Sequence, residues 1–281
     1  MIGSVARASC AWSTGGTPRA TSPAINLMTR RRFYAPRIAF AADSDRITLS
    51  DDEARHARDV LRLSRDDEVF VFDGEGREYR CVIADIGSRS MTLTVAEETP
   101  PAKPESPLDL TLAVALLKGE KFDLVVQKAT ELGVTTLVPL ITTRADVRIR
   151  QPQDAARKLE RWQRIALESA KQCGRARLTL VNKPTNLDEL FRSITDVHLG
   201  VMFTARDGGS VEVAFETKPD FKSVIAMVGS EGGWTDDEIS QARKHEWQLV
   251  TLGGRTLRAE TAAIVAATLL QHRFGDLGYT A

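Results

Sequence analysis

Along residues 108–278 short apolar runs alternate with amphipathic stretches, and that rhythm predicts a parallel sheet. "LTLAVALL" and "SVIAMVG" are apolar throughout, as strands covered on both faces must be. "TTLVPLI", "RLTLV", "DVHLGVMF" and "WQLVTLG" are further strand candidates. Between them, "EKFDLVVQKATELG", "DAARKLERWQRIALESAKQCG", "LDELFRSI" and "TDDEISQARKHE" repeat apolar residues at helical spacing. Alternation of this kind implies an α/β fold, a mostly parallel sheet with helices on both faces. A last helix, Ala-rich and apolar almost all round, follows "LGGRTLRAE". Helices apolar on every side are buried, so the charges at its entrance are expected near an interior.

Residues 33–98 follow a period of two instead. "DEVFVFDGEGREYRCVIADIGSRSMTLTVAE" alternates apolar and polar positions, with turns at "DGEG" and "IGSRS". One helix interrupts, "SDDEARHARDVLRL", where Ser50 and Glu53 have the spacing of a capping box. On such a helix Arg58 and Arg62 share a face. A small β-barrel-like module is therefore expected over residues 28–98. "TPPAKPESP" follows, with four prolines, and predicts a stiff linker over residues 99–107. The α/β domain takes residues 108–281. Residues 1–27 lack a periodic apolar face and are expected to be disordered. Their Arg/Ser-rich, acid-free character fits either an organellar transit peptide or an over-long start before Met28.

Composition adds little beyond an ordinary soluble class: 42% apolar and 27% charged, with no apolar stretch of membrane-spanning length. Cys10, Cys81 and Cys173 are far apart and form neither a CxxC nor a zinc pattern, which predicts free thiols in a reducing cytoplasm. His56 and His245 lack partners at metal-ligand spacing, and no metal is expected. Net charge is zero but unevenly spread. Residues 1–42 hold six arginines and no acid, residues 43–108 nine basic against sixteen acidic side chains, and residues 144–177 ten against four. A polyanionic partner would have to dock on particular basic patches. Arg30, Arg31 and Arg32 beside Phe33 and Tyr34 mix charge with aromatic rings, as RNA surfaces do. Trp162 and Trp247 are expected in the core.

Ligands of parallel α/β sheets bind at the carboxyl ends of the strands. Two such ends carry glycine-rich turns, "VGSEGGW" and "LGGRTLRAE". Neither contains the P-loop or the dinucleotide-binding glycine pattern. Turn chemistry alone explains either one; two on successive strand ends, one joined to a charged cluster, point to a ligand.

The set "MVGSEGGWTDDEI", "LGGRTLRAETAA" and "RFGDLG" resembles the RsmE family of 16S rRNA (uracil-N3) methyltransferases, within the knotted SPOUT superfamily. "HARDVLRLSRDDEVFVFDGEG", "LLKGEKFDLVVQKATELGVTTLVPL" and "RWQRIALESAKQCGR" extend the match over residues 30–278. The Gly253–Gly254 pair departs from it by lending the loop extra freedom. The resemblance implies a trefoil-knot methyltransferase domain behind a PUA-like RNA-binding domain. It implies S-adenosyl-L-methionine as cofactor, a homodimer packed through the last helix, and small-subunit ribosomal RNA, in an assembled or nearly assembled subunit, as substrate. Ala262, Ala263, Ala266 and Ala267 would let the last helix approach neighbouring backbone closely. Met202, Val228, Gly229, Glu231, Gly232, Leu252, Gly253, Thr256 and Leu257 are implied at the cofactor. Arg31, Arg32, Arg62, Lys171 and Arg175 are implied at the RNA.

Methylation of uracil N3 leaves negative charge to spread onto O2 and O4 as the nitrogen loses its proton. A guanidinium offers such oxygens a planar fork of donors and keeps its own proton, which makes Arg258 the catalytic candidate. A salt bridge to Glu260 is the structural alternative. Glu260 would orient Arg258 or guide the proton away, unless it merely caps the helix; Thr261 would bond the base or cap. A non-catalytic RNA-binding or ribosome-assembly factor on the same fold, or an enzyme methylating a ribose or another base, remain open on the sequence.

Overall fold

The computed structural model describes residues 30–41, 45–149, 151–194, 199–215 and 222–278. The expected disorder of residues 1–27 falls outside them, as does Cys10. Strands β1 (Arg32–Tyr34), β2 (Arg46–Leu49), β3 (Glu68–Phe72), β4 (Glu78–Ile86) and β5 (Met91–Thr99) form one sheet in the order β1-β3-β4-β5-β2. Every pairing is antiparallel except β1 with β3. The period of two does what it predicts: Val69, Val71, Cys81, Ile83, Met91 and Leu93 enter one core with Phe33, Ile47 and Leu49.

The helix of this module is shorter than its sequence suggests. It runs as α1 (Asp51–Arg55) and then widens into a π turn over His56–Val60. Ser50 Oγ accepts from the Glu53 amide at 3.4 Å. Glu53 does not complete the box; its buried carboxylate accepts from Lys171 Nζ at 2.8 Å. Arg62 then adopts φ +53, so it shares no helix face with Arg58. Arg58 instead donates to the carbonyls of Gly87 and Ser88.

The second module contains β6 (Asp109–Ala115), α2 (Lys121–Glu131), β7 (Thr136–Ile141), α3 (Pro152–Cys173), β8 (Leu180–Val181), β9 (Thr185–Asn186) and α4 (Leu187–Ser193). It continues with β10 (Leu199–Phe203), α5 (Val211–Phe215), β11 (Ser223–Val228), α6 (Asp236–Lys244), β12 (Gln248–Val250) and α7 (Ala259–Phe274). All pairings are parallel, in the order β12-β10-β11-β6-β7-β8, with β9 also on β7. Two short elements, β9 and α5, are additions to the expected set. Cap chemistry fixes the helix ends: Thr235 and Glu238 make a reciprocal box on α6, and Gly174 closes α3 at φ +89.

Both sheet faces are covered. Leu110, Leu112 and Val114 pack with Phe122, Trp162 and Leu270, whereas Ala113, Val138, Met202 and Trp247 pack on the opposite side. In α7, Ala263, Ala266 and Ala267 are fully buried where the helix meets β6 and β11. Its other side differs from expectation: Ile264, Val265 and Leu269 are half-exposed in the single chain. No described helix is long and apolar enough to cross a membrane.

The winding places the site. After β11 the chain crosses to the far side of β10 to make β12, so the winding reverses about β10. A crevice opens at the carboxyl end of such a strand. The segment after β10 holds the end of β12: the Thr204 amide donates to Val250 O at 2.8 Å, Gly209 to Leu249 O at 2.9 Å, and Thr251 to Gly209 O at 2.9 Å. From there the chain returns inward to lay α7 on β6 and β11, the crossing where the expected knot belongs.

The expected linker proves to be a strap. The Ala102 amide donates to Glu78 Oε2 at 3.0 Å, and Ser106 Oγ donates to Gln271 Oε1 of α7 at 2.7 Å. Glu105 accepts from Arg175 Nε at 2.9 Å and from the amides of Ala176 and Arg177. The two sheets accordingly belong to one compact unit that begins at Arg31.

Candidate active site

Three strand ends converge on one cleft. β10 contributes Phe203, Thr204 and Ala205; β11 contributes Val228 to Glu231 with Gly233 and Trp234; β12 contributes Thr251 to Leu257, and α7 adds Ala259 and Ala262. Of the expected cofactor residues, Val228, Gly229, Glu231, Leu252, Gly253, Thr256 and Leu257 line it. Met202 and Gly232 do not. Met202 is fully buried in the core on the other side of the sheet, because strand alternation turns it away while its neighbour Phe203 faces the cleft. Gly232 is pressed on Arg144, whose Cβ and carbonyl oxygen lie 2.9 and 3.0 Å from where a side chain would begin. It shapes the loop from behind.

That loop is held from several directions. Arg144 Nη1 donates to the carbonyls of Trp234, at 2.9 Å, and Gly232, at 3.3 Å. The Trp234 indole N–H donates to Phe203 O at 2.8 Å, tying the end of β11 to the end of β10. Glu231 is paired with Lys121 at the start of α2. The opposite wall is freer: Gly253 takes φ +73, and both Gly253 and Gly254 border open space.

Two residues of the lining carry hydroxyls that the described residues leave unsatisfied. Ser230 Oγ and Thr251 Oγ1 are both buried without a hydrogen-bond partner among the described residues. Buried polar groups are normally bonded, and an orphan costs about 1–3 kcal/mol. Around them stand apolar walls from Phe203, Val228, Leu252, Leu257 and Ala262, with the Glu231 carboxylate at the edge. Apolar walls for a flat base with hydroxyls among them suit S-adenosylmethionine. No group of three or more metal-ligating side chains occurs among the described residues.

At the entrance of α7, Arg258 is the N-cap, and no side chain caps the helix. Arg258 is exposed, and its guanidinium has no partner among the described residues. The salt bridge to Glu260 is therefore not made. Glu260 does not line the cleft. It is 9% exposed, in a groove with Glu120, Lys121, Leu124 and Ile165, and its Oε2 lacks a partner among the described residues. Thr261 is exposed and makes no cap. The amides of Ala259, Glu260 and Thr261, which no intrahelical carbonyl can reach, stay open at this end. An uncapped N-terminus beside an unpaired guanidinium favours negative charge.

The expected RNA residues divide. Arg31 and Arg62 are exposed, Arg31 only 4.0 Å from Asp67 and Arg62 without a partner among the described residues. Arg32, Lys171 and Arg175 are structural instead. Arg32 pairs at 3.0 Å with the fully buried Glu78 and donates to the Arg175 carbonyl. Lys171 pairs with Glu53. Arg175, 5% exposed, donates to Glu105, to the carbonyls of Thr130 and Val134, and to Thr179. Their carboxylate partners Glu78, Glu53 and Glu105 lie 46, 118 and 70 positions away, beyond any local pattern. Sequence reasoning also passed over Thr251, Ser230 and Arg144. Ser230 was within reach of it, as a hydroxyl inside the quoted glycine turn.

Comparison with known proteins agrees with this geometry. Residues 104–271 match the model of an RNA methyltransferase domain, and residues 49–96 that of an RNA methyltransferase PUA domain. The ribosomal RNA small subunit methyltransferase E of Synechocystis is 36% identical over 224 residues, which span 78% of this chain and 71% of that protein. The crystal structure of a ribosomal RNA small subunit methyltransferase E from Neisseria gonorrhoeae, bound to S-adenosyl methionine, is 29% identical. It superposes with a TM-score of 0.78 over 89% of this chain and all of that one. A methyltransferase structure from Legionella pneumophila in complex with the same cofactor gives 31% identity and a TM-score of 0.78, over 88% and 99% of the two chains. With its PUA domain, its methyltransferase domain and its cleft in one order, the chain belongs to the ribosomal RNA small subunit methyltransferase E family.

Proposed function

We propose that the chain methylates N3 of a uridine in small-subunit ribosomal RNA, with S-adenosylmethionine held in the cleft of β10, β11 and β12. The observation that carries the reading is the junction of that glycine-lined cleft with the uncapped start of α7, where Arg258 has no partner among the described residues. The cofactor supplies a methyl group activated by its sulfonium. The chain's residues do the rest. Ser230 and Thr251 offer hydroxyls to polar edges of the ligand, and the Glu231–Lys121 pair holds the rim of the cleft. Arg258 presents its fork to O2 or O4 of the uracil as N3 gives up its proton to solvent water, and the open amides of α7 add a favourable field. Glu260 lies outside this cleft in the single chain, so orienting Arg258 directly is not its part. Thr261 remains a candidate to bond the base. Arg31 and Arg62 are retained as phosphate contacts.

The active form is a homodimer packed through α7. Its half-exposed Ile264, Val265 and Leu269, with the exposed Leu124 of α2, supply an apolar face for the second copy. Two firmly strapped modules suit an RNA that is itself already shaped, as in an assembled or nearly assembled subunit in the cytoplasm. Calorimetric titration with S-adenosylmethionine tests the reading. Saturable binding is expected; a protein that binds ribosomal RNA but no cofactor would be an assembly factor on the same fold.

A further inference from the structure

Helix α3 carries a basic face that neither the cleft nor the core uses. Arg157, Arg161 and Arg164 follow at intervals of four and three residues, so they share one side, and all are exposed. Lys158 stands beside them, its ammonium 5.9 Å from the centre of the Trp162 ring. Of these four only Arg161 has a carboxylate partner among the described residues, Asp123, which also accepts from Trp162. From Arg157 to Arg164 a single acid, Glu160, opposes four cations. Farther along, Glu168 lies 3.5 Å from Lys171.

The position of this face gives it a use. At its N-terminal half, Arg157, Lys158 and Arg161 border a groove with Leu117 and Gly119 of the loop after β6. That loop leads to Lys121, the partner of Glu231 on the cleft rim. The C-terminal end of α3 meets the PUA-like module, where Lys171 pairs with Glu53 and its carbonyl accepts from Arg32. At 22 residues, α3 is about 33 Å long. Arg157 to Arg164 cover about 10 Å of that length, on the part of α3 that borders the loop after β6.

The geometry points to this face of α3 as a track for the RNA backbone, along which phosphates near the target uridine meet Arg157, Lys158, Arg161 and Arg164. The inference rests on the methyltransferase reading and extends it to the path of the substrate. Guanidinium forks match phosphate oxygens two at a time. Arginines left without carboxylates lose no ion pair when a phosphate arrives. The affinity they give comes largely from released counterions and so must fall with salt.

The test is the double variant Arg157→Gln/Arg164→Gln, which leaves the Arg161–Asp123–Trp162 cluster intact. Methyl transfer to small ribosomal subunits lacking the modification is followed at several salt concentrations, beside a cofactor titration and a melting curve. A track predicts a rise of about tenfold in KM for RNA. It also predicts a salt dependence shallower by roughly one unit per arginine, with kcat, cofactor affinity and melting temperature unchanged. Arg157→Lys/Arg164→Lys should keep most of the affinity. Unchanged KM and salt slope in the glutamine variant overturn the track. So does a lowered melting temperature with lost cofactor binding, which assigns the face to folding. Wild-type protein that transfers no methyl group to ribosomal RNA overturns the functional reading, and the track with it.

Discussion

Arg258 and Glu260 stand two positions apart at the start of α7 and do not pair: the guanidinium is exposed and has no partner among the described residues, whereas the carboxylate is buried in a separate groove. A structural arginine would be bonded. This one is exposed and has no partner among the described residues, so its removal should leave the fold alone. Arg258→Ala is expected to keep its melting temperature and cofactor affinity and to lose about 10²–10³ in single-turnover methylation rate. Arg258→Lys should recover part of that loss, since a point charge matches one oxygen better than two. A wild-type rate in the alanine variant would remove Arg258 from the chemistry.

The orphaned hydroxyls make a separate prediction. Thr251→Val and Ser230→Ala each delete a buried polar atom that has no hydrogen-bond partner among the described residues. Stability without cofactor should stay level or rise, while the dissociation constant for S-adenosylmethionine rises by up to about tenfold. Calorimetry and thermal unfolding of the same samples decide it. Falling stability with unchanged affinity would make these hydroxyls structural.

The cysteines give the pH dependence. Burial pushes the Cys81 thiol from 9.0 up to about 12, and burial also raises that of Cys173. The thiolate is the reactive form, so at pH 8 Cys81 stays protonated and protected in the fold. Folded protein should release its Cys81 signal to a disulfide reagent only at the rate of unfolding, and quickly in denaturant. Rapid labelling of native Cys81 at pH 8 would contradict the burial.

Much of this fold was legible because burial repeats with the period of the local structure. Leu110, Leu112 and Val114 announce a covered strand from their pattern alone. The glycine turns at Gly229 and Gly253 likewise exposed the ligand cleft, since they follow apolar strands. What stayed hidden depends on partners distant in sequence. Nothing near Arg175 in the sequence shows that Glu105 waits for it, and nothing near Glu53 shows that Lys171 draws it from the cap. The positive φ of Arg62 follows from a π turn whose sequence reads as ordinary helix. Met202 was misplaced for a simpler reason: adjacent strand residues face opposite sides, and Phe203 holds the cleft side.

The strap between the modules predicts a stability effect without a binding effect. Arg175→Ala leaves Glu105 half-buried and without its guanidinium partner, and breaking a buried pair in this way costs about 3–5 kcal/mol. Denaturant unfolding should show that loss. The salt dependence of RNA binding by the remaining folded protein should match wild type. A weaker salt slope at full stability would return Arg175 to the RNA surface.

Identity of the methylated nucleoside tests the central claim most directly. Unmodified small ribosomal subunits are incubated with the protein and isotopically labelled S-adenosylmethionine, the RNA is digested to nucleosides, and the products are separated by mass spectrometry. Label in 3-methyluridine, at a single site and lost with Arg258→Ala, is the predicted result. Label in a ribose-methylated nucleoside or in another base, or no label at all, would contradict the account.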